Sequence, residues 1–210
     1  MGVGMEEAVE SKQAGVPSAQ EKRRDEWGIV LDFLQHGHYG MARSEPVAYV
    51  LGDKYFSLLE VIVREGAALK AGERVYVGDG KRDQIKYIRG RVEPSKLTSA
   101  GREELPHVVE GIIKKEPEHF LAFFNKAGPV SMRMHSLELL PGIGKKHLFA
   151  VLDARKEGPF TSFAQMRERV PLLPEPEKLV QRRVLEELEG KDKYRIFVPR
   201  AEPERGPRRQ

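Results

Sequence analysis

The spacing of apolar residues changes once along this chain, between Val92 and Leu97, and this change divides the fold into two parts. Up to Val92, short apolar runs alternate with turn residues, a pattern typical of β-strands. From Leu97 onward, apolar residues recur every three or four positions, as the buried face of an α-helix requires. The sequence therefore predicts an α+β protein, with its strands first and its helices after them.

The N-terminal part contains enough strands for a small barrel. The alternation within Arg74–Val77 has a period of two, and Asp79-Gly80 is a hairpin signal. The predicted strands are Val47–Leu51, Tyr55–Arg64, Arg74–Val77 and Ile85–Val92, and the dense apolar residues of Trp27–Leu34 predict a strand or a short buried element. Four or five strands in so short a segment favour an OB-like β-barrel over residues 26–96. Basic residues beside Tyr76 and Tyr87 could give this barrel a nucleic-acid-binding rim.

Helices and bends make up most of the remainder. Residues 97–127 predict connecting helices, and residues 128–190 predict an all-α tandem helix-hairpin-helix domain, because a second bend at Leu173–Pro176 weakly repeats the first. The predicted helices of that domain are Ser131–Leu140, Lys145–Lys156, Phe163–Val170 and Glu177–Leu188. Residues 191–199 predict a closing strand. The polar residues 1–25 and 200–210 predict a disordered head and tail.

The segment Leu140–Lys146 is the most informative motif for function. Pro141 cannot continue a preceding helix. Gly142 and Gly144 allow backbone angles that side chains disfavour, and they let a ligand approach the main chain. Ile143, between the glycines, can anchor the bend in the core. These features predict the hairpin of a helix-hairpin-helix unit.

Two lysines, Lys145 and Lys146, open the helix that follows this bend. The N-terminus of a helix presents free N–H groups and the positive end of its dipole, so cations there are unfavourable and anions are favourable. We expect a nucleic-acid phosphate at this position. The predicted contacts are Gly142, Ile143, Gly144, Lys145, Lys146, Arg133, Arg182 and Arg183. The hairpin carbonyls also form a possible binding site for a monovalent cation.

Other interpretations of the same motif stay open. Leu140–Gly144 could be a tight helix–helix connection, because proline and glycine are common at helix ends. It could also contact a protein rather than a nucleic acid. A DNA-repair glycosylase would need a carboxylate some way beyond the hairpin; Asp153 comes too early for this role, and Glu168 lies between arginines.

The residue types in the chain limit the chemistry available to it. The sequence contains no cysteine, which excludes disulfides, thiol catalysis and cysteine-based metal sites and fits a reducing cytoplasm. His36 and His38 lack a third ligand at a familiar spacing, and no catalytic constellation is recognisable. The net charge of +4 permits nucleic-acid binding. We expect a cytoplasmic protein without a membrane span, a metal site or enzymatic activity.

Several segments together resemble an archaeal family, the proteins grouped as domain of unknown function 655. The segments that carry this resemblance are Phe56–Glu60, Gly72–Gly78, Phe123–Pro129, His135–Lys146, Glu186–Gly190 and Lys193–Arg195. The resemblance covers about Trp27 to Val198. It implies an OB-like barrel joined to a helix-hairpin-helix region in an archaeal, cytosolic protein. It also implies a nucleic-acid ligand, with RNA or the ribosome favoured over DNA because genes of this family lie near translation genes.

The functional hypothesis is a non-enzymatic protein that binds the nucleic-acid backbone without reading its sequence. The main alternative is a protein-interaction module that docks on the ribosome or on RNA polymerase. A DNA-repair factor is the least favoured interpretation.

Overall fold

A computed structural model describes residues 24–38, 45–190 and 192–200. Nearly all of the predicted head and tail therefore lies outside the described residues. Asp25, which was assigned to the head, is an exception. It is buried, and it accepts hydrogen bonds from the amides of Lys54, Tyr55 and Ser57 at 2.8, 2.7 and 3.1 Å. The folded part thus begins slightly before the predicted boundary.

Five antiparallel strands form one curled sheet that resembles half of a barrel. They are β1 (Trp27–Leu34), β2 (Val47–Gly52), β3 (Leu58–Val63), β4 (Arg74–Tyr76) and β5 (Ile85–Arg91). Their spatial order is β4-β1-β2-β3-β5, so the meander β1-β2-β3 lies in the centre. Register shifts interrupt β1 and β3. Such bulges bend a strand and increase its twist, which curls the sheet.

The four strands predicted after Pro46 are confirmed and Trp27–Leu34 forms a strand, but the hairpin predicted at Asp79-Gly80 is wrong. β4 pairs with β1 and β5 pairs with β3, so the chain between them crosses from one edge of the sheet to the other. A β-turn signal fixes only the local bend, and the apolar pairing available on each edge decides which strand lies beside it.

The two faces of the sheet bury different sets of apolar side chains. The strands themselves fill one face, with Val30, Val50, Val61, Val75 and Ile85 in a single cluster. The residues that alternate with these point to the other face, where the helices cover them. This second cluster includes Leu31, Tyr49, Leu51, Leu105, Val108 and Val109. Burial of both faces explains why β2 is buried along its whole length.

Five α-helices follow the sheet. They are α1 (Ser99–Lys115), α2 (Pro117–Lys126), α3 (Lys145–Lys156), α4 (Phe163–Arg169) and α5 (Pro176–Leu188). The Thr98 side chain caps α1 by accepting from the Gly101 amide at 3.0 Å. Each helix coincides closely with a predicted one, because each has the apolar spacing of a half-buried helix.

The helix predicted at Ser131–Leu140 is wrong. Its residues form a small hairpin of β6 (Pro129–Ser131) and β7 (Met134–His135), followed by a 3₁₀-helix at Ser136–Leu139. A reciprocal pair of hydrogen bonds starts that short helix only at Ser136. His135 Nδ1 accepts from the Leu137 amide at 3.2 Å, and the Glu138 carboxylate accepts from the His135 amide at 2.9 Å. Burial lowers the pKa of His135, which favours the neutral imidazole that this hydrogen bond requires.

The closing strand predicted within residues 191–199 is also wrong. In the described part of this segment no residue joins a sheet. The Glu187 carboxylate instead accepts from the amides of Ile196, Phe197 and Val198 at 2.7, 2.9 and 2.8 Å. One buried side chain therefore satisfies the amides that a neighbouring strand would otherwise satisfy.

This carboxylate also connects the end of the chain to the helices. Glu187 is fully buried and lies 2.8 Å from Arg183 Nε, one turn earlier on α5. Phe197, held next to it, packs edge-on against Phe120 and Phe123 of α2. The C-terminal segment thereby fixes α5 relative to α2.

Replacing Glu187 with glutamine should strongly destabilise the fold. The amide keeps the shape of the side chain, but it removes the 2.8 Å partner of the buried Arg183 guanidinium and leaves only the more distant carboxylates of Asp192 and Glu186, at 3.5 and 3.9 Å. Breaking a buried ion pair costs about 3–5 kcal/mol. The measurement is the free energy of unfolding from urea denaturation. Glu186→Gln is the matched control, since Glu186 is half-exposed and 3.9 Å from the same guanidinium. Its loss should stay below about 1 kcal/mol, and equal losses in the two variants would contradict the assignment.

Candidate nucleic-acid interface

The bend after the 3₁₀-helix is a tight turn anchored at both ends. Leu140 and Ile143 are buried, and the Ile143 amide donates to the Leu140 carbonyl at 3.1 Å. Gly142 has φ +91°, in the left-handed region that favours glycine. A Cβ there would meet only Leu179 Cδ2, at 3.8 Å. The glycine at this position is therefore required by backbone conformation, and the turn itself is a structural element.

Gly144 differs from Gly142 in having no structural requirement for glycine. Its φ of −100° and ψ of −179° are extended angles that any residue adopts. A Cβ on Gly144 would meet nothing within 4 Å. As the N-cap of α3, this position accepts glycine, but serine, threonine, aspartate or asparagine would add a side-chain cap worth roughly a few tenths of a kcal/mol. Glycine here leaves the start of α3 without a side-chain cap.

The first amides of α3 are available to an external acceptor. The Leu148 amide is the first to bond along the helix, donating to the Gly144 carbonyl at 2.9 Å. The amides of Lys145, Lys146 and His147 precede it, and the described part of the chain supplies no acceptor for them. Gly144, Lys145 and Lys146 are exposed to solvent. We call Gly142–Lys146 the tip of the bend. The geometry expected of an anion site is therefore present at this tip.

The two predicted lysines of the tip have different surroundings. Lys145 Nζ lies 2.8 Å from the Glu138 carboxylate. This ion pair, together with the His135 amide, lowers the pKa of Glu138. Lys146 forms no ion pair with any described residue. Lys146 is therefore free to bind an anionic ligand, whereas Lys145 would first have to break its ion pair with Glu138.

Three carbonyl groups of the bend already have partners. Those of Leu140 and Gly144 accept the amide hydrogen bonds of the turn and the helix, and His147 Nδ1 lies 3.1 Å from the Gly142 carbonyl oxygen. A proton on Nδ1 would let His147 brace the bend. The predicted monovalent cation would have to share these oxygens, and it stays a prediction.

The three predicted arginines are in different environments. Arg133 is exposed at the turn between β6 and β7. Arg182 is exposed on α5, one turn after Leu179, the residue nearest Gly142. Including Arg183 in the site was wrong, because its side chain is only 5% exposed and is bound to Glu187. The sequence does indicate that Arg183 is paired, because Arg183 and Glu187 are four residues apart on one helix face. Val180 and Val184 lie on the same face.

Most other basic residues of this region already form hydrogen bonds or ion pairs within the protein. Arg155 donates to the carbonyls of Phe124 and Ala127 at 3.2 and 2.9 Å, and Arg169 donates to that of Gly158 at 3.0 Å. Lys156, Arg167 and Lys178 pair with carboxylates. Among described residues 128–190, only Arg133, Lys146 and Arg182 are exposed cations with no partner. The positive charge is sparse and does not form a continuous basic surface.

A second bend has the hydrogen-bond pattern of the first. The Leu173 amide donates to the Val170 carbonyl at 3.0 Å, as Ile143 does to Leu140, and both bends have proline as their second residue. The equivalent turn thus begins at Val170, three residues before the predicted Leu173–Pro176. Leu172 takes the place of Gly142 but has no positive φ. Without an exposed glycine or an unpaired lysine, this bend is not a second anion site.

The predicted basic rim of the sheet is occupied in part, since Lys81 and Arg91 stay exposed without an ion pair among the described residues. Lys86 and the Tyr87 hydroxyl both contact Glu45, at 2.9 and 3.1 Å. Arg89 pairs with Glu60. The Tyr76 hydroxyl accepts from the Gly80 amide at 3.2 Å, and its ring packs edge-on against Trp27. These contacts leave the bend before α3 as the better candidate interface.

The fold and the bend together define an α+β protein with a barrel-like sheet and a glycine-containing turn that exposes a helix N-terminus. The family model for the protein of unknown function DUF655 matches residues 24–199, and the chain belongs to this family. The resemblance found in the sequence is thereby confirmed. The family description assigns no function to any residue.

Two archaeal relatives agree with this assignment. An uncharacterised protein of Methanocaldococcus jannaschii, MJ0038, is 36% identical over 176 residues, which are 83% of this chain and 80% of that protein. The crystal structure of Af1531 from Archaeoglobus fulgidus, also described as DUF655, matches with a TM-score of 0.77 and 40% identity. That match covers 83% of this chain and 100% of the other. In the described part of this chain, no helix has the length and apolarity needed to cross a membrane.

Substitution of the two glycines by serine should separate their roles. Gly142→Ser forces a side chain into the left-handed region and should cost about 1–2 kcal/mol of stability. Gly144→Ser meets open space at extended angles and can cap α3, so it should leave stability unchanged or raise it by roughly a few tenths of a kcal/mol. The measurement is the unfolding free energy of each variant. A loss at Gly144 as large as that at Gly142 would mean that Gly144, too, is required by the fold.

Proposed function

We propose that this protein binds nucleic acid without catalysing a reaction, and that the bend Leu140–Lys146 contacts the phosphate backbone. The observation that carries the proposal is Gly144. Neither its backbone angles nor its surroundings require glycine, and a capping residue would stabilise α3 better. If a ligand approaches the main chain closely at Gly144, a side chain at this position would block it, which explains the glycine.

A phosphate oxygen fits the groups at this tip. The amides at the start of α3 would donate to it, and the helix dipole favours negative charge there. Lys146 would add a direct charge contact. Arg182, one turn along α5 from the residue beneath Gly142, could contact a neighbouring phosphate. Such contacts position a backbone without reading bases, so we infer binding that is independent of sequence.

We interpret the helical region as a tandem helix-hairpin-helix and the sheet as OB-like. The repeated turn at Leu140–Ile143 and Val170–Leu173 supports the tandem interpretation, since each turn joins a short helical element to a longer helix. In the first unit the short element is the 3₁₀-helix Ser136–Leu139. Our preference for RNA and for a role in translation rests on the family resemblance alone.

A second candidate function is docking on a protein assembly, such as the ribosome or RNA polymerase. The β6–β7 hairpin favours it, because Met132 is fully exposed and Val130 and Met134 are about one-third exposed. Apolar side chains clustered on one protruding hairpin are typical of protein contacts. This alternative predicts co-purification with a protein complex and no affinity for naked nucleic acid.

Changes at the tip should abolish binding while matched changes elsewhere do not. Lys146→Glu and Gly144→Glu should each lower affinity for duplex DNA and structured RNA about tenfold or more at low salt, because each places a carboxylate where phosphate would bind. Fluorescence anisotropy measures the affinity. Lys115→Glu and Gly111→Glu introduce the same charges at exposed positions of α1, away from both candidate surfaces. If the tip variants bind as tightly as these controls, the bend is not the contact.

The salt dependence of binding should be shallow. The few exposed, unpaired cations of the helical region would neutralise two to four phosphates, so log K against log[salt] should fall with a slope of about −2 to −4 on duplex DNA. Titrations from low to physiological salt measure this slope. A slope steeper than about −6 would require a much larger basic surface than the one we assign.

A further inference from the structure

Phe149 is a large aromatic side chain on the solvent face of α3. It is 60% exposed, whereas Leu148, Val151 and Ala154 form the buried face of the helix. Phe149 belongs to neither apolar cluster and makes no aromatic contact within the described residues. The fold does not use this ring for packing.

The sequence spacing places Phe149 beside the lysines of the tip. It follows Lys145 by four residues and Lys146 by three, so all three lie on one exposed face. Helical side chains lean toward the N-terminus of their helix, so a ring at this position covers the turn that carries the two lysines. An exposed aromatic ring and two cations therefore share one small surface next to the free amides.

We propose that Phe149 stacks on an unpaired base of the strand whose phosphate binds at the tip. The preferred ligand class is then a single strand, loop or bulge rather than a continuous duplex, in which bases are already stacked on each other. This inference rests on the proposed function and specifies its substrate. Stacking on phenylalanine tolerates any base, which agrees with binding that does not read sequence.

The charges on this face favour a nucleotide over an apolar protein segment. Lys146 is unpaired, and the nearest acidic residue along the same face, Asp153, is held by Lys156 at 2.7 Å. A base carries its own phosphate, so a single nucleotide can complement both the ring and the cation. An apolar peptide would cover the ring but leave the lysine beside it without a partner.

The test compares Phe149→Ala and Phe149→Trp on single-stranded and duplex probes. The probes are a mixed-sequence 12-nucleotide RNA, the DNA of the same sequence, and the blunt duplex of each, measured by anisotropy at low salt. Phe149→Ala should weaken single-strand binding about five- to hundredfold and change duplex binding less than twofold. Phe149→Trp should restore single-strand binding, and its added tryptophan fluorescence should be quenched by the oligonucleotide. Leu172→Ala, at an exposed apolar residue of the second bend, should change neither.

The outcomes distinguish this inference from the proposed function. If Lys146→Glu abolishes binding but Phe149→Ala leaves single-strand affinity unchanged, the tip binds phosphate and the stacking inference is wrong. Equal losses on single strands and duplexes after Phe149→Ala also overturn it, because they show a role other than contact with an unpaired base. If the unmodified protein binds none of the probes, both the proposed function and this inference are wrong.

Discussion

One buried carboxylate connects the C-terminal segment to α5, the helix against which the candidate interface packs. Glu187 accepts three consecutive amides of the C-terminal segment and neutralises Arg183. These bonds seat Phe197 between α5 and α2. Leu179, two turns before Glu187, is in turn the side chain nearest Gly142. The tight turn at the tip therefore packs on a helix that a side chain far from the tip helps to hold in place.

A second buried carboxylate, near the N-terminal end of the described residues, also accepts three backbone amides. Asp25 accepts three amides of the turn between β2 and β3, and a Cβ on Gly52 would lie 2.0 Å from its Cγ. The turn also contains Phe56, which is fully buried despite a φ of +53°. Neither segment can satisfy its amides in a sheet, so a carboxylate from outside the segment does so. A buried charge with this many donors is stable because its hydrogen bonds replace those of water.

The sequence allowed prediction wherever repetitive backbone hydrogen bonds build the structure. Four of the five strands and the five helices followed from apolar spacing, as did the anchoring of Ile143. Prediction failed where side chains satisfy the backbone instead: at Ser131–Leu140, where His135 and Glu138 delay the helix, and at 194–198, where Glu187 replaces a strand. Arg183 was misassigned for the same reason. Its counter-ion was visible on the same helix face, but its burial depends on tertiary packing that periodicity alone does not specify.

The electrostatics of the tip show why net charge is a poor guide to this site. The overall excess of +4 is spread over a chain in which most cations near the bend are bound to carboxylates or carbonyls. Glu138 both helps to start the 3₁₀-helix and neutralises Lys145, so the tip in its free state has one unpaired lysine and a helix dipole. A singly charged phosphodiester matches that balance. A second phosphate would have to compete with Glu138 for Lys145, so the geometry favours one backbone contact per bend rather than a broad electrostatic grip.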